Sequence, residues 1–225
     1  MKQVVAIDGP SGSGKSTVAS MLSRKLGYMH LDTGAMYRAV ALAAAQEGIP
    51  YDDPDGLDEL CERIRIKMQQ NEDGVSIFLN GKDVTEKIRS PEMSLGSSAV
   101  SSVEQVRSHM VRLQREIGSS GGVVAEGRDM GSVVFRDTQA KFYLDASPEE
   151  RATRRWQQLK EMGIEERLDK VRTEMDERDQ KDSSREHSPL QRTGDAMHID
   201  TTGMTIEQVV EKLARKVREL EGAVA

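Results

Sequence analysis

The sequence predicts an α/β fold with a parallel core sheet, a small inserted antiparallel meander and a charged helical segment near the carboxyl end. Three observations support this prediction. An apolar run at residues 4–7 leads into the glycine-rich segment 9–16, and strand and helix patterns alternate around that segment. Residues 62–86 break the alternation with two stretches in which apolar and polar side chains take turns, as in antiparallel strands with one buried face.

The amino-terminal part of the chain has the β-α-β-α order that begins a doubly wound parallel sheet. Its first strand is apolar on both faces, as a central strand requires, and the following helix places Val18, Leu22 and Leu26 on one stripe. Gly27 is suited to end that helix because glycine adopts the left-handed backbone conformation easily. The predicted elements are a strand at 4–8, a helix at 16–26, a strand at 28–32 and a helix at 34–46.

The inserted meander is predicted from its alternation and its turns. Apolar side chains occupy every second position from 64 to 68 and again from 75 to 79, with a polar turn at 71–74 between them. Asn80-Gly81 then gives a two-residue hairpin signal. The acidic stretch 53–56, Asp-Pro-Asp-Gly, lies before the meander and is interpreted as a loop.

The carboxyl-terminal half supplies further helices and the remaining core strands. Ser147-Pro148 has the chemistry of a helix start, and Thr205 with Gln208 forms a capping pattern before an amphipathic closing helix. The segment 149–192 interleaves acids and bases and has few large apolar residues, so we expect it to bury little core and to move easily. The predicted elements here are helices at 91–102 and 103–117 and strands at 123–126, 141–145 and 197–200.

Composition and charge exclude several classes of protein. The chain has 225 residues, a net charge of −6 and only 4% aromatic residues, which argues against a nucleic-acid-binding face. Cys61 is the only cysteine, so an internal disulfide is excluded, and the 4 histidines show no metal-ligand spacing. Asp8 interrupts the first apolar stretch too early for a signal peptide, and no apolar run could cross a bilayer. We expect a cytoplasmic monomer with no nucleic-acid or membrane partner.

Residues 9–16 carry the most specific chemistry in the chain. They read Gly-Pro-Ser-Gly-Ser-Gly-Lys-Ser, the G-x-x-x-x-G-K-[ST] phosphate-loop motif, directly after a predicted strand and before a predicted helix. Glycines let backbone N–H groups turn toward a phosphate, Lys15 can reach the β- and γ-phosphates, and the Ser16 hydroxyl is offered to Mg²⁺. The chain is therefore predicted to bind a nucleoside triphosphate through Gly9, Pro10, Ser11, Gly12, Ser13, Gly14, Lys15, Ser16 and Thr17.

Other classes of phosphate-loop protein match the chain less well. A GTPase needs Asn-Lys-x-Asp to read guanine, whereas residues 80–83 read Asn-Gly-Lys-Asp and lie in the predicted hairpin. A motor ATPase needs four apolar residues ending in a carboxylate, a pattern that residues 142–145 fit only loosely. A Ser-Pro helix start follows Asp145 almost at once, so this residue is interpreted as a turn residue at the end of a strand. A nucleotide-operated binding module stays as an alternative, which the absence of guanine and sensor motifs disfavours.

A kinase for a small phosphoryl acceptor needs arginines on several loops, because two anionic substrates and the transferring phosphoryl group must be neutralised together. Residues 32–38 follow the second predicted strand, and residues 126–131, which include Arg128, follow the third. Both segments lie at carboxyl ends of strands, where open α/β sheets bind ligands. The charged segment 149–192 supplies a third group of arginines.

Together these segments resemble the bacterial cytidylate kinase family. The resemblance rests on the phosphate loop, on Leu-Asp-Thr-Gly-Ala-Met-Tyr-Arg at 31–38, on Glu-Gly-Arg-Asp-Met-Gly at 126–131 and on residues 177–185, and it runs from Val4 to the final helix. Thr33 stands for a serine and keeps the hydroxyl, and Glu126 stands where some members have aspartate.

The resemblance implies a P-loop kinase fold with a parallel core sheet, in which the meander is the nucleoside-monophosphate-binding region and the charged segment is a helical lid. The division that it implies is a core at 1–60 and 103–225, with the lid at about 148–192, and an inserted region at 61–102.

The resemblance also implies roles for individual residues. Ser98, Arg107 and Asp129 would read cytosine, whose O2 and N3 accept hydrogen bonds while its N4 amino group donates them. Tyr37, Arg178 and Asp182 would contact the sugar, and Arg38, Arg128 and Arg185 would bind the monophosphate. Arg151, Arg154 and Arg155 would close over the triphosphate, and Thr33 completes the CMP-binding set.

The expected reaction is transfer of the γ-phosphate of ATP to CMP or dCMP with Mg²⁺, giving ADP and CDP or dCDP. No covalent intermediate and no strong general base are needed, because the acceptor is already a phosphate oxyanion. Catalysis is then positioning and charge neutralisation by Lys15, Arg128 and Mg²⁺. Asp32 is expected either to order Mg²⁺-bound water or to stabilise a local turn. A kinase for UMP or AMP is the alternative enzyme.

Overall fold

Strands and helices succeed one another along residues 2–71 and 74–223, the residues that a computed structural model of the chain describes. The strands are β1 (Val4–Asp8), β2 (Met29–Asp32), β3 (Ile66–Asn71), β4 (Gly74–Leu79), β5 (Lys82–Asp83), β6 (Val123–Gly127), β7 (Ala140–Asp145) and β8 (Met197–Asp200). The α-helices are α1 (Lys15–Leu26), α2 (Thr33–Glu47), α3 (Pro54–Arg63), α4 (Pro91–Val100), α5 (Glu104–Gly118), α6 (Pro148–Glu161), α7 (Leu168–Ser183) and α8 (Ile206–Ala223). A 3₁₀ helix at Lys87–Arg89 and a π-helical turn at Met130–Val134 complete these elements.

The chain divides into two units, the first comprising residues 1–28 and 121–225 and the second residues 29–120. Within the described residues, no helix combines the length and the apolar character that crossing a membrane requires.

The first unit is built on a parallel sheet whose strands lie in the order β6, β1, β7, β8. Val5 on β1 lies opposite Val124 of β6 and Ala140 of β7, so the central strand is paired on both sides. Helices α1 and α8 contribute Leu22 and Leu213 to the core of this sheet, and both side chains are fully buried. The predicted α/β class with a parallel core sheet is therefore confirmed.

Local capping chemistry sets three helix ends of this unit as the sequence predicts. The Ser147 hydroxyl accepts a hydrogen bond of 3.2 Å from the N–H of Glu150 at the start of α6. Thr205 and Gln208 exchange hydrogen bonds of 3.0 and 3.3 Å at the start of α8, which is a reciprocal capping box. Gly27 has a φ of 65° and ends α1 in the left-handed conformation.

Helices α6 and α7, here called the lid helices after the lid predicted at about 148–192, have a small apolar cluster of their own. Leu159, Val171 and Met175 are buried in it together with Ala152, and Trp156 packs against them. The sequence predicts little core in this charged segment. The few apolar side chains still form a core because they lie where the two helices face each other.

The second unit combines β2 and α2 with the meander and with helices α3 to α5. The meander is an antiparallel sheet in the order β3, β4, β5, with Met68 opposite Ile77. Asn80 and Gly81 have φ values of 51° and 80°, which suit a two-residue hairpin turn. The predicted antiparallel meander is confirmed, whereas two residues of the predicted turn at 71–74, Glu72 and Asp73, lie outside the described residues.

The acidic stretch 53–56 is the start of α3, so its interpretation as a loop was wrong. The Asp53 carboxylate accepts a hydrogen bond of 3.1 Å from the N–H of Gly56, and Pro54 takes the first helical position. Leu57 and Leu60 are then fully buried one turn apart. An aspartate followed by proline is an N-cap pair as well as a turn signal, and the apolar stripe after it decides for the helix.

Candidate active site

The phosphate loop joins β1 to α1, which is the strand–loop–helix order that its motif requires. Gly9 and Gly12 have φ values of 149° and 75°, a backbone region that residues with a side chain rarely adopt. A Cβ at Gly9 would lie 2.0 Å from the carbonyl oxygen of Leu144 on β7, so no other residue fits there. The loop therefore packs directly against the end of the sheet.

Lys15 begins α1 with only 6% of its surface exposed. Its Nζ donates a hydrogen bond of 2.5 Å to the carbonyl oxygen of Pro10 and lies 3.3 Å from Oγ of Ser13, so the ammonium folds back onto its own loop. Burial, together with the nearby charge of Arg128, lowers the pKa of Lys15 to about 7, although neighbouring carboxylates act in the opposite direction. A buried ammonium of this kind gains strongly from an incoming anion.

Ser16, the candidate Mg²⁺ ligand, is bonded to a carboxylate from another strand. Its hydroxyl donates a hydrogen bond of 2.8 Å to Oε2 of Glu126, which is 4% exposed near the end of β6. Sequence reasoning placed Glu126 beside the site without a role. A hydroxyl and a carboxylate are oxygen donors of the kind that Mg²⁺ prefers, so these residues fit the metal that a triphosphate carries.

Asp8, at the end of β1, fixes the turn that follows β6. Its carboxylate oxygens accept hydrogen bonds from the N–H groups of Met130 and Gly131, both at 2.8 Å. Burial raises the pKa of Asp8 to about 6, even though these two N–H groups favour the charged form. The turn held in this way carries Arg128 and Asp129. Sequence reasoning missed this role, for which the signal was a carboxylate ending an otherwise apolar buried strand.

Two arginines predicted to bind the monophosphate are joined through one carboxylate. Nε of Arg128 donates a hydrogen bond of 2.8 Å to Oδ2 of Asp182, and Nη2 of Arg185 donates to the other oxygen. Burial would raise the pKa of Asp182, but Arg128, Arg185 and Arg178 together hold it below its ordinary value. The ion pairs keep Asp182 charged and hold the guanidinium groups of Arg128 and Arg185 close together.

Arg151, on the first lid helix, contacts the phosphate loop itself. Its Nη1 donates a hydrogen bond of 3.0 Å to the carbonyl oxygen of Ser11 and forms an ion pair with Asp179 of α7. The other oxygen of Asp179 accepts a hydrogen bond of 3.1 Å from the N–H of Ser11. The structure thus brings one predicted ATP-binding arginine onto the loop, along with an aspartate to which sequence reasoning gave no role.

The other two predicted lid arginines have different surroundings. Arg154 donates hydrogen bonds of 3.1 Å to both the hydroxyl and the carbonyl oxygen of Thr201, and a Cβ at Gly14 would lie 3.9 Å from its Nη1. Arg155 donates to the Gln158 side chain at 2.9 Å, along its own helix. Arg154 is therefore beside the phosphate loop, held there by a threonine after β8 that sequence reasoning missed.

In the second unit, Asp32 and Arg38 form a pair at the start of α2. The Asp32 carboxylate accepts a hydrogen bond of 2.8 Å from the N–H of Ala35, which caps the helix, and one of 3.1 Å from Arg38. Burial would raise the pKa of Asp32, but Arg38 and its other partners hold it below its ordinary value. A Cβ at Gly34 would lie 3.1 Å from Nη1 of Arg38 and 3.2 Å from the carboxylate, so glycine leaves room for the pair.

The remaining candidates of this unit lie on α2, α4 and α5. The guanidinium of Arg107 lies over the ring of Tyr37, 5.6 Å from its centre, and donates a hydrogen bond of 3.0 Å to the carbonyl oxygen of Ser101. Ser101 in turn donates to the carbonyl oxygen of Ser98 at 3.1 Å, and Thr33 is buried in the first turn of α2. The structure therefore gathers a predicted sugar contact and a predicted base-reading arginine in one unit.

A search among solved structures gives a fold-level likeness. An uncharacterized protein from Eubacterium ventriosum aligns over 97% of this chain and 99% of its own with a TM-score of 0.53 and 11% identity, which supports the fold alone.

Comparisons of sequence are much more specific. A protein from Geobacter sulfurreducens called cytidylate kinase is 48% identical over 98% of this chain and 94% of its own length. Relatives of the same name from Syntrophotalea carbinolica and Enterococcus faecalis are 48% and 46% identical over 96% of this chain, covering 92% and 95% of their own lengths. The sequence profile described as cytidylate kinase matches residues 5–219, which include the phosphate loop and every arginine discussed above. This chain belongs to the cytidylate kinase family.

Proposed function

We infer that this chain transfers the γ-phosphate of ATP to CMP or dCMP and releases ADP and CDP or dCDP. The observation that carries the inference is the match of residues 5–219 to the cytidylate kinase family. The phosphate loop, with a buried lysine and an arginine from the lid helices directly on it, supports the same activity because both are suited to a triphosphate.

We propose that ATP binds along the phosphate loop. Backbone N–H groups of the loop and Lys15 bind the phosphates, and burial of Lys15 makes each charge contact stronger than it would be in water. Arg151 and Arg154 already lie beside the loop, and Arg155 joins them when the lid helices close. The complete proposed set is Gly9, Pro10, Ser11, Gly12, Ser13, Gly14, Lys15, Ser16, Thr17, Arg151, Arg154 and Arg155.

We propose Mg²⁺ as the metal that accompanies ATP. Ser16 would hold it, with Glu126 as the carboxylate that orients the hydroxyl or a water on the metal. When bound, the metal would neutralise charge on the triphosphate oxygens.

Residues for binding the acceptor are proposed in each unit separately, from the contacts within that unit. In the first unit, Arg128 and Arg185 are proposed to bind the monophosphate, with Asp182 and Arg178 at the sugar and Asp129 at the base. In the second unit, Arg38 is assigned to the monophosphate and Tyr37 to the sugar, with Ser98 and Arg107 at the base. Thr33, in the first turn of α2, completes the proposed CMP-binding set. Asp32 is proposed to orient Arg38 through the hydrogen bond between them.

Catalysis then needs little beyond positioning and charge neutralisation. The acceptor is already a phosphate oxyanion, so the residues need not remove a proton from it. Lys15 and the arginines neutralise the charge that spreads over the transferring phosphoryl group, and closure of the lid helices excludes water that would otherwise hydrolyse ATP.

We further propose a cytoplasmic monomer that serves pyrimidine nucleotide metabolism. The free, buried thiol of Cys61 supports a reducing compartment, and the proposed reaction would serve pyrimidine nucleotide metabolism. The monomeric state stays a prediction. The division into a core, an inserted region at 61–102 and a lid at about 148–192 also stays a prediction.

A coupled assay of ADP release with CMP, dCMP, UMP and AMP tests the proposed function. We expect CMP and dCMP to give the highest kcat/KM values, with UMP and AMP well below them. ATP binding without any acceptor-dependent ADP release would instead identify a nucleotide-operated binding module. A preference for UMP or AMP would overturn the cytosine assignment and keep the kinase.

A further inference from the structure

The phosphate loop is already in contact with an anion that belongs to the chain. Oδ1 of Asp179 accepts a hydrogen bond of 3.1 Å from the N–H of Ser11, and Oδ2 forms an ion pair with Arg151. Arg151 also donates to the carbonyl oxygen of Ser11 at 3.0 Å. A loop N–H and a guanidinium converging on one oxyanion is the arrangement that a phosphate group would receive.

This contact lies where the lid helices pack against the phosphate loop. A Cβ at Gly12 would lie 2.8 Å from both the carbonyl oxygen of Arg151 and Cε of Met175, so the lid helices touch the loop backbone. The side chains of Arg151 and Asp179 are only 9% and 15% exposed. The charge of Asp179 also acts on Lys15, where it is among the influences that favour the ammonium form.

We propose that Asp179 is a positioning residue that occupies the place of a triphosphate oxygen until ATP arrives. In the structure it holds Arg151 at the loop and keeps the Ser11 N–H satisfied. A triphosphate and a carboxylate compete for the same donors because both are anions. ATP binding therefore requires Asp179 to release the Ser11 N–H, and Arg151 passes from the carboxylate to a phosphate.

Asp179 therefore weakens nucleotide binding, whereas the basic residues around it strengthen it. Neutralising it should strengthen binding of ATP and ADP and leave CMP binding unchanged. Hydrogen bonds to an ionised carboxylate are roughly twice as strong as those to a neutral acceptor, so we expect removal of the charge to improve nucleotide affinity by about tenfold. This inference rests on the proposed triphosphate site.

Isothermal titration calorimetry of the whole protein with ATP, ADP and CMP tests the proposal. Asp179→Asn keeps the size and an acceptor oxygen, and we expect it to lower the Kd for ATP and ADP by about tenfold. The matched control is Asp176→Asn, which removes the same charge from an exposed position on α7, near Arg172. An Asp179→Asn protein that binds ATP no better than the control, or more weakly, would overturn the proposal.

Two further measurements separate the possible failures. If the Lys15→Met variant binds ATP with the same Kd as the wild-type protein, the proposed triphosphate site itself is wrong, whatever Asp179 does. If Asp179→Asn does not fold, a structure of the wild-type protein with ADP decides. We expect the Ser11 N–H to have left Asp179 for a phosphate oxygen, and an intact bond of about 3.1 Å would reject the proposal.

Discussion

The hydroxyl of Ser16 donates a hydrogen bond of 2.8 Å to Oε2 of Glu126, although 110 positions separate the two residues in the sequence. One is the serine of the phosphate loop that we propose as a Mg²⁺ ligand, and the other lies near the carboxyl end of the neighbouring strand. The parallel pairing of β1 with β6 makes this contact possible because it brings the ends of both strands to the same edge of the sheet.

Replacing Glu126 with glutamine should weaken the use of Mg²⁺. The amide still accepts the Ser16 hydrogen bond but lacks the negative charge, and loss of a partner of a metal ligand typically lowers metal affinity by about 10- to 100-fold. We expect the Mg²⁺ concentration for half-maximal rate to rise by at least about tenfold. ATP binding without metal, measured by calorimetry, should not weaken. An unchanged Mg²⁺ dependence would show that Glu126 serves only the packing of the loop.

Replacing Lys15 with methionine should remove most turnover and leave the fold intact. The ammonium is buried beside the loop, where its charge has its largest effect on the transferring phosphoryl group. The expected fall in kcat is about 100-fold or more. Steady-state kinetics with both substrates varied measures it, and circular dichroism checks folding. Activity within about threefold of wild type would contradict the assignment.

The same substitution should stabilise the protein more at pH 6 than at pH 9. The pKa of Lys15 is lowered to about 7, so at pH 6 folding has to bury a charged ammonium, whereas at pH 9 the folded protein holds the neutral amine. The unfolded chain keeps the proton at both values, and stability of the wild type therefore rises with pH above about 7.

Thermal melts of Lys15→Met and wild type at the two pH values check this prediction. Each kcal/mol by which the substitution raises the free energy of unfolding should raise Tm by about 2–4 °C. The exposed Lys212→Met serves as the control for replacing a lysine with methionine at the surface. An equal rise in Tm on Lys15→Met at pH 6 and pH 9 would contradict a lowered pKa of Lys15.

Replacing Asp129 with alanine should change the choice of base. The residue is 3% exposed in the turn that Asp8 holds, and its carboxylate is proposed to accept from the cytosine amino group. Uracil has a carbonyl at that position. The loss of transition-state stabilisation, calculated from kcat/KM, should therefore be about 2–3 kcal/mol for CMP and much smaller for UMP. Assays with both acceptors measure the difference. A fall by the same factor for both would assign Asp129 a structural role.

Replacing Arg154 with alanine should lower kcat strongly and change the KM for CMP by less than about threefold. The guanidinium is held beside the phosphate loop by two hydrogen bonds to Thr201, in place to act on the triphosphate when the lid helices close. Arg172→Ala, on the exposed surface of α7, is the control for loss of a lid charge. A defect confined to CMP binding would contradict the assignment of Arg154 to the ATP site.

Much of this protein is determined by short stretches of sequence. The phosphate loop, the Ser147 and Thr205 caps and the Asn80-Gly81 turn each depend on residues within a few positions, so their chemistry can be predicted without a fold. The start of α3 was misinterpreted because the Asp53-Pro54 pair suits both a turn and a helix start. Only the buried stripe after it, which needs a core to pack against, distinguishes them.

Tertiary structure alone decided which donor each of these carboxylates meets. Asp8 holds the turn before Met130 across 122 positions, Glu126 reaches Ser16 across 110, and Asp179 reaches Ser11 across 168. A carboxylate in a sequence does not reveal its partner, since most acids in a chain with 31% charged residues are solvated. Strand order and helix packing choose the partner, because burial makes an unpaired charge expensive and leaves only the pairs that the fold brings within hydrogen-bond distance.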